Sequence, residues 1–174
     1  MSVVTDDAFT QLVAEHHAEI FRYLMRVTGR PSDADDLSQE TFLRAFRARA
    51  SQNSCEPRAW LFTIATNLIK NHFRAQKRRR RAHDALRERV PSGPDRDGEF
   101  SGRDVGEVVE RIVAGLPLKQ RLAFVQRKVH GFEYEVIAQN LRCSPESARA
   151  NVFQATKKIR RALDGHSADR KEAP

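Results

Sequence analysis

The stretch YEVIAQNLRCSPESARANVFQATKKIRRAL, residues 134–163, decides the architecture. Tyr134 to Leu141 has the length and apolar spacing of a short helix. Three residues, Arg142-Cys143-Ser144, then separate it from a second helical pattern. Ser144 followed by Pro145 is a strong helix start. The serine oxygen can accept from an otherwise unpaired backbone N–H, and the first helical position does not miss the N–H that proline lacks. Ala148, Val152, Ala155 and Ile159 repeat at three- and four-residue intervals and define one buried stripe. Short helix, tight turn and longer basic helix together have the sequence form of a helix-turn-helix.

Working outward, Leu118, Leu122, Val125 and Val129 space out a preceding helix that starts after Leu116-Pro117 and ends at His130-Gly131. Another helix covers about residues 105–114. Before it, VPSGPDRDGEFSGRD (90–104) holds two prolines and three glycines with little apolar content, so it reads as a linker. In the first half, Phe9, Leu12, Val13, Ile20, Phe21 and Leu24 recur at helical spacing, and Gly29-Arg30-Pro31 ends that helix. Ser32 is the expected N-cap of a second helix, with Asp33, Asp35 and Asp36 in its first turn. SQNSCEP (51–57) is a polar loop. A third helix runs from about Arg58 into KRRRR, residues 77–81. The expected fold is all-α: two small helical domains, an N-terminal bundle and a C-terminal helix-turn-helix domain, joined by a flexible linker. The division is 1–82, a linker at 83–104, 105–166, and a disordered tail at 167–174.

Composition agrees with this. The chain has 174 residues, is poor in Gly and Tyr, and carries a net charge of +8. That charge favours a polyanionic partner. It is unevenly placed: −2 over residues 1–50, +7 over 51–90, −3 over 91–115 and +6 over 116–174. Apolar runs are too short for a transmembrane helix, and MSVVTDDAFT lacks the pattern of a signal peptide. Cys55 and Cys143 form no metal motif with any histidine, so no metal or other cofactor is expected and a reduced, cytoplasmic setting is.

Three helical faces do not have the character of core. On the second helix, Asp36, Gln39, Glu40 and Leu43 share one side, an acidic surface with one leucine, either a docking face for a basic helical partner or a solvated face. On the third, Leu61, Ile64, Ala65, Leu68 and His72 form the core stripe; His72 in isolation has the chemistry of a general base, but its place makes it a structural residue at the rim. The other arc gathers Trp60, Thr63, Asn67, Lys70, Asn71 and Arg74, continuing into Lys77, Arg78 and Arg79. An aromatic, amides and cations are the equipment for holding unstacked bases and the strand that carries them. The alternative is a core Trp60 beside ordinary surface, and the basic run alone also fits a nuclear-localisation signal. On the last helix, Glu146, Arg149, Ala150, Phe153, Gln154, Lys157 and Arg160 form an exposed arc headed by Ser144. Arg149 and Gln154 can read purine edges, Phe153 can touch thymine methyls, and the cations can grip phosphates. A plain amphipathic helix with a cationic end is the alternative.

Together, DADDLSQETFLRAFRA (33–48), PRAWLFTIATNLIKNHFRAQKRR (57–79) and LPLKQRLAFVQRKVHGFEYEVIAQNLRCSPESARANVFQATKKIRRAL (116–163) resemble the bacterial sigma factors of the extracytoplasmic-function group. The resemblance implies a transcription initiation factor with no catalytic residue and no small-molecule substrate. Its first domain, region 2, would dock on the beta-prime clamp helices of core RNA polymerase through Asp36, Gln39, Glu40 and Leu43. The third helix and the loop Ser51–Pro57 would open the −10 element of promoter DNA, with Asn67 and Asn71 on the family's asparagines. The second domain, region 4, would read the −35 element as duplex. An anti-sigma factor, often membrane-bound in this family, is implied as a controlling partner. Two stretches depart from the family pattern. RANVFQAT (149–156) replaces the frequent basic, serine-containing run, so the usual −35 sequence is not expected. SQNSCEP lacks the loop's usual glycine and aromatic, which leaves the captured base open.

Two rivals stand beside it. A stand-alone helix-turn-helix regulator would bind duplex DNA without polymerase, but no heptad repeat supplies a dimer. A metal-dependent nuclease would use Asp33, Asp35, Asp36 and Glu40, although their place at a helix start accounts for them more simply.

Overall fold

Apolar spacing in the first half resolves into three packed helices, α1 (Asp6–Thr28), α2 (Pro31–Ala48) and α3 (Pro57–Leu86), with a 3-10 turn at Arg49–Ser51. The second half folds into α4 (Val105–Ala114), α5 (Leu118–Lys128), α6 (Tyr134–Leu141) and α7 (Pro145–Asp169). These assignments come from a computed structural model that describes residues 6–51, 56–86 and 105–169, among which there is no strand. Most of the expected linker, and residues 52–55 of the loop SQNSCEP, lie outside the described residues. So does the end of the tail.

In α1, Phe9, Ile20 and Leu24 are buried as expected, and Tyr23 and Val27 join them. Gly29 then takes φ +70°, and its N–H bonds to the Met25 carbonyl at 2.8 Å, a left-handed cap that glycine adopts without strain. The N-cap of α2 falls on Arg30, not on Ser32. Pro31 occupies the first helical position, and of the three aspartates only Asp33 lies in the first turn. One face of α2, Ala34, Leu37, Ser38, Thr41, Phe42 and Ala45, is buried against its neighbours.

Helix α3 is buried over a wider arc than its core stripe predicts. Leu61, Ala65 and Leu68 are inside, but so are Phe62, Thr66 and Ile69. The second half supplies the reason: α6 packs on α3, and α4 and α5 pack on α1. A helix gripped from two sides buries residues around most of its circumference. Helix α3 also continues to Leu86 and α7 to Asp169, past the boundaries expected at 82 and 166. Ala82, Ala85 and Leu86 are good helix formers, and no proline stops either helix.

Leu122, Val125, Ile137, Ala148, Val152, Ala155 and Ile159 build the core of the second half. Val129 does not join it. The helix ends at Lys128, Val129 is 44% exposed, and the chain turns through Gly131 (φ +71°) to bury Phe132 instead. The turn of the helix-turn-helix is as expected. The Ser147 N–H donates to Ser144 Oγ at 3.2 Å, and Pro145 opens α7. The turn depends on Arg142, at φ +53°, whose N–H caps the Ala138 and Gln139 carbonyls. A branched backbone in this region is strained and glycine is not. Arg142→Gly is therefore expected to raise stability by about 0.5–1 kcal/mol, read as a higher melting temperature in circular dichroism.

Candidate functional site

Helix α2 turns its buried face inward, which leaves Asp36, Gln39 and Leu43 exposed and Glu40 half-buried on the opposite side. Leu43 is 43% exposed. Phe46, one turn further on, is 37% exposed, and sequence analysis passed it over although the three-residue spacing from Leu43 was visible. The Arg49 guanidinium lies 3.6 Å over the Phe46 ring, and Phe9 meets that ring edge-on at 5.2 Å. Glu40 pairs with Arg44 at 2.6 Å. The face is thus an acidic strip ending in an exposed leucine and phenylalanine.

The second face, on α3, is divided. Asn71, Arg74, Lys77, Arg78 and Arg79 are exposed. Trp60 is half-buried against the core, and Asn67 is half-buried. Thr63 and Lys70 are engaged by the second half. The Thr63 hydroxyl donates to Asn140 Oδ1 at 2.5 Å, and Lys70 Nζ to the Asn140 carbonyl at 3.0 Å. Desolvation there, with Arg142, Arg74 and Lys119 nearby, lowers the Lys70 pKa. The arc expected to be open is therefore partly covered by α6. His72 is half-buried at the rim, its Nε2 3.5 Å from Asp33 Oδ2.

Behind Thr63 runs a buried polar chain that sequence analysis missed. Asn140 Nδ2 donates to Gln126 Oε1 (2.8 Å). Gln126 Nε2 donates to the Tyr23 hydroxyl (2.9 Å) and to Thr66 Oγ1 (3.2 Å), which are 2.9 Å from each other. Burial pushes the Tyr23 hydroxyl far above its usual pKa. The one sequence signal was polar residues, Gln126 and Asn140, on otherwise apolar helix faces.

Beside this chain sits an ionic cluster. Arg58 holds Glu19 with bonds of 2.6–3.1 Å and donates to the His130 carbonyl at 2.7 Å, while His130 Nδ1 lies 3.0 Å from Glu19 Oε1. The rings of Phe62, Phe132, Tyr23 and His130 pack edge to face around it. The Arg58 bond is the main reason the Glu19 pKa falls from 4.5 to about 2, and the His130 contact adds to it. Burial lowers the His130 pKa, although Glu19 opposes this, and its Nε2 is buried without a partner.

On α7 all of the expected arc is exposed: Ser144, Glu146, Arg149, Ala150, Phe153, Gln154, Lys157 and Arg160. Phe153 is 62% exposed. The Arg149 guanidinium stands 5.0 Å over the Tyr134 ring, a cation–π contact at the exposed surface. Asn151 instead turns back to the Ser147 carbonyl. Bonds from the backbone and Ser144 keep the Glu146 carboxyl acidic. Among the described residues, no three His, Cys, Asp or Glu side chains gather as a metal site would require, and no helix is long and apolar enough to cross a membrane.

Residues 12–81 match the family model of Sigma-70 region 2, and residues 106–159 that of Sigma-70, region 4. The chain is 30% identical over 166 residues to the ECF RNA polymerase sigma factor SigE of Mycolicibacterium smegmatis, covering 93% of this chain and 64% of that protein. It is 28% identical over 169 residues to the RNA polymerase sigma-H factor of Pseudomonas aeruginosa, covering 90% and 86%. The fold matches the sigma factor RpoE in a co-crystal structure with the anti-sigma factor NepR from Bartonella quintana: TM-score 0.73, 23% identity, 92% of this chain and 98% of that one. It also matches CnrH in complex with the cytosolic domain of CnrY, with TM-score 0.65, 23% identity and coverage of 92% and 90%. The chain belongs to the sigma-70 family, in its extracytoplasmic-function group.

The cluster at the junction of the halves sets a pH dependence. His130 faces Glu19 and Arg26 on α1 and Arg58 on α3, and His16 lies 4.0 Å from the same carboxylate. A histidine whose folded pKa lies below 6.5 contributes stability that is present above 6.5 and is lost as the pH falls below it. Glu19 acts in the same direction lower down, between 4.5 and about 2. Melting temperature is expected to fall from pH 7.5 to pH 5, and His130→Gln to flatten that slope. An unchanged slope in the variant would assign it to other groups.

Proposed function

We infer that this chain is a sigma factor that binds core RNA polymerase and directs promoter-specific initiation, each half doing a different part of the work. The first half, about residues 1–82, carries the polymerase face and the −10 face. The second, about 105–166, carries the −35 face. The observation that supports this most is the exposure of two chemically different faces on helices of family-matched regions: Leu43 and Phe46 beside acids on α2, and Arg149, Phe153 and Gln154 on α7.

Asp36, Gln39, Glu40 and Leu43 would meet the clamp helices of the beta-prime subunit, with Phe46 extending the apolar contact. Trp60, Thr63, Asn67, Lys70, Asn71 and Arg74 would hold the opened −10 strand, with unstacking offset by contacts to an extruded base. Lys77, Arg78 and Arg79 would bind phosphates without reading sequence, so their contribution falls steeply with salt. On the −35 duplex, Arg149 and Gln154 would reach base edges, Phe153 a thymine methyl, and Lys157 a phosphate, while Ser144, Glu146 and Ala150 would face the groove at the head of the helix. Weak contacts at three places act together through effective concentration. No step in this work is catalytic, and it takes place in the cytoplasm. An anti-sigma partner fits the same picture, since the solved RpoE relative is held by one.

Leu43→Asp is expected to abolish co-elution with core RNA polymerase in gel filtration while leaving the helical circular dichroism unchanged. A large loss of helicity would make Leu43 a core residue. Asn67→Ala is expected to leave closed-complex binding within about twofold, yet to lower permanganate reactivity of thymines around −10 about tenfold, in line with the loss of one stacked or bonded base. Unchanged reactivity would remove Asn67 from the opening step.

A further inference from the structure

We propose that Tyr134 is the positioning residue for Arg149, the arginine assigned to a base edge of the −35 duplex, and that Arg127 holds the ring in place from α5. The proposal rests on the assignment of the α7 arc to that duplex. Both guanidiniums stand over the same ring, Arg127 at 4.7 Å and Arg149 at 5.0 Å from its centroid. Arg127 comes from the last turn of α5 and Arg149 from α7, while Tyr134 is the first residue of α6. The ring therefore lies where these three helices meet.

The far side of this contact is secured. Arg127 Nη1 donates to the Phe132 carbonyl at 2.9 Å and pairs with Glu133 Oε2 at 2.9 Å, so a carboxylate offsets one of the two cations on the ring. Tyr134 is half-buried and packs against the core, so the fold sets the ring's position and the arginine does not. Arg149 itself is exposed. Glu146 stands three residues before it, at the spacing of a helical ion pair. The Glu146 carboxyl, however, takes bonds from its own backbone and from Ser144. Arg149 is left with the ring.

That partner suits a reading residue. A salt bridge would consume N–H donors, whereas a ring contact spends none of the five, and the guanidinium fork stays whole for a base. Restraint also bears on discrimination. An arginine free to swing can settle for a phosphate or a neighbouring acceptor, which lowers the difference between right and wrong bases. One held over a fixed ring bonds two acceptors of a purine edge only where they fall within its reach. Tyr134 thus acts on sequence preference through Arg149, without touching a base.

The test has two readouts. In the full chain, nitrogen-15 relaxation of the arginine Nε–Hε groups is measured, with the Arg149 signal assigned from Arg149→Lys. Arg149 is expected to become more mobile in Tyr134→Leu and to stay as in the parent in Tyr134→Phe. Tyr134→Met takes the place of the leucine variant should that one melt early in circular dichroism. Equal mobility in parent and variants would overturn the proposal. In the holoenzyme, core RNA polymerase with this chain transcribes a pooled library of random upstream duplexes, and base frequencies in the transcribed templates are read. Arg149→Ala is expected to lower the preference at one −35 position about tenfold. Tyr134→Leu is expected to lower it at that same position about threefold, to leave the other positions unchanged, and to add nothing in the Arg149→Ala background. Tyr134→Phe is expected to restore it. An equal loss at every position, or no loss, would make Tyr134 a structural or phosphate-binding residue and overturn the proposal. If Arg149→Ala changes no position, the −35 assignment of Arg149 fails and the positioning role falls with it, while the relaxation data report separately on the ring contact.

Discussion

Helix α3 must serve more surfaces than a helix ordinarily has faces for. One side carries the core of the first half through Leu61, Ala65 and Leu68. The opposite side carries the polar and cationic groups suited to a nucleic acid strand. Phe62, Thr66 and Ile69 lie between and are buried, Phe62 under Phe132 and His130 and Thr66 under Gln126 of the second half. A helical bundle of about eighty residues buries a smaller share of its surface than a larger domain does, so neighbours that extend its core are valuable to it. Here that extension is made next to the polar and cationic face, and this proximity governs everything built around it.

The junction also explains its own chemistry. An apolar patch large enough to hold the halves together permanently would defeat a factor that must reach two distant DNA elements. A chain of amides and hydroxyls from Tyr23 to Asn140, flanked by Arg58, Glu19 and His130, is specific when formed and can be rehydrated when broken. Each net hydrogen bond of this kind is worth only about 1 kcal/mol, because water takes its place on opening. Register is fixed more strongly than affinity. The faces on α2 and α7 are outside this trade: Leu43 and Phe153 stay exposed whether or not the halves touch.

Much of this was legible in the sequence, because local rules and packing agreed. The all-α class, the helix-turn-helix with its Ser144 cap and the stripe Ala148, Val152, Ala155 and Ile159 follow from periodicity and capping, and the structure reproduces them. The exposed arcs of α2 and α7 follow from the same wheel. The errors came where a residue's role depends on what lies across from it. Ser32 has the chemistry of a cap, but Pro31 fixes the start of the helix two residues earlier, with Arg30 as the cap. Val129 continues a stripe, but the helix stops before it. The burial of Phe62 and Thr66, and the polar chain through Gln126, depend on residues sixty or more positions away in sequence. No period within one helix can announce a contact of that kind.

The most direct measurement is transcription in vitro by core RNA polymerase on a pooled library of random upstream sequences, with this chain as the sole added factor. The account predicts start sites at a fixed distance from two enriched elements, one opened and one read as duplex. Their enrichment should collapse when the α7 arc is altered at Arg149 and Gln154. Enrichment of a single duplex element without any start site, or transcription no more selective than that of the core alone, would contradict it.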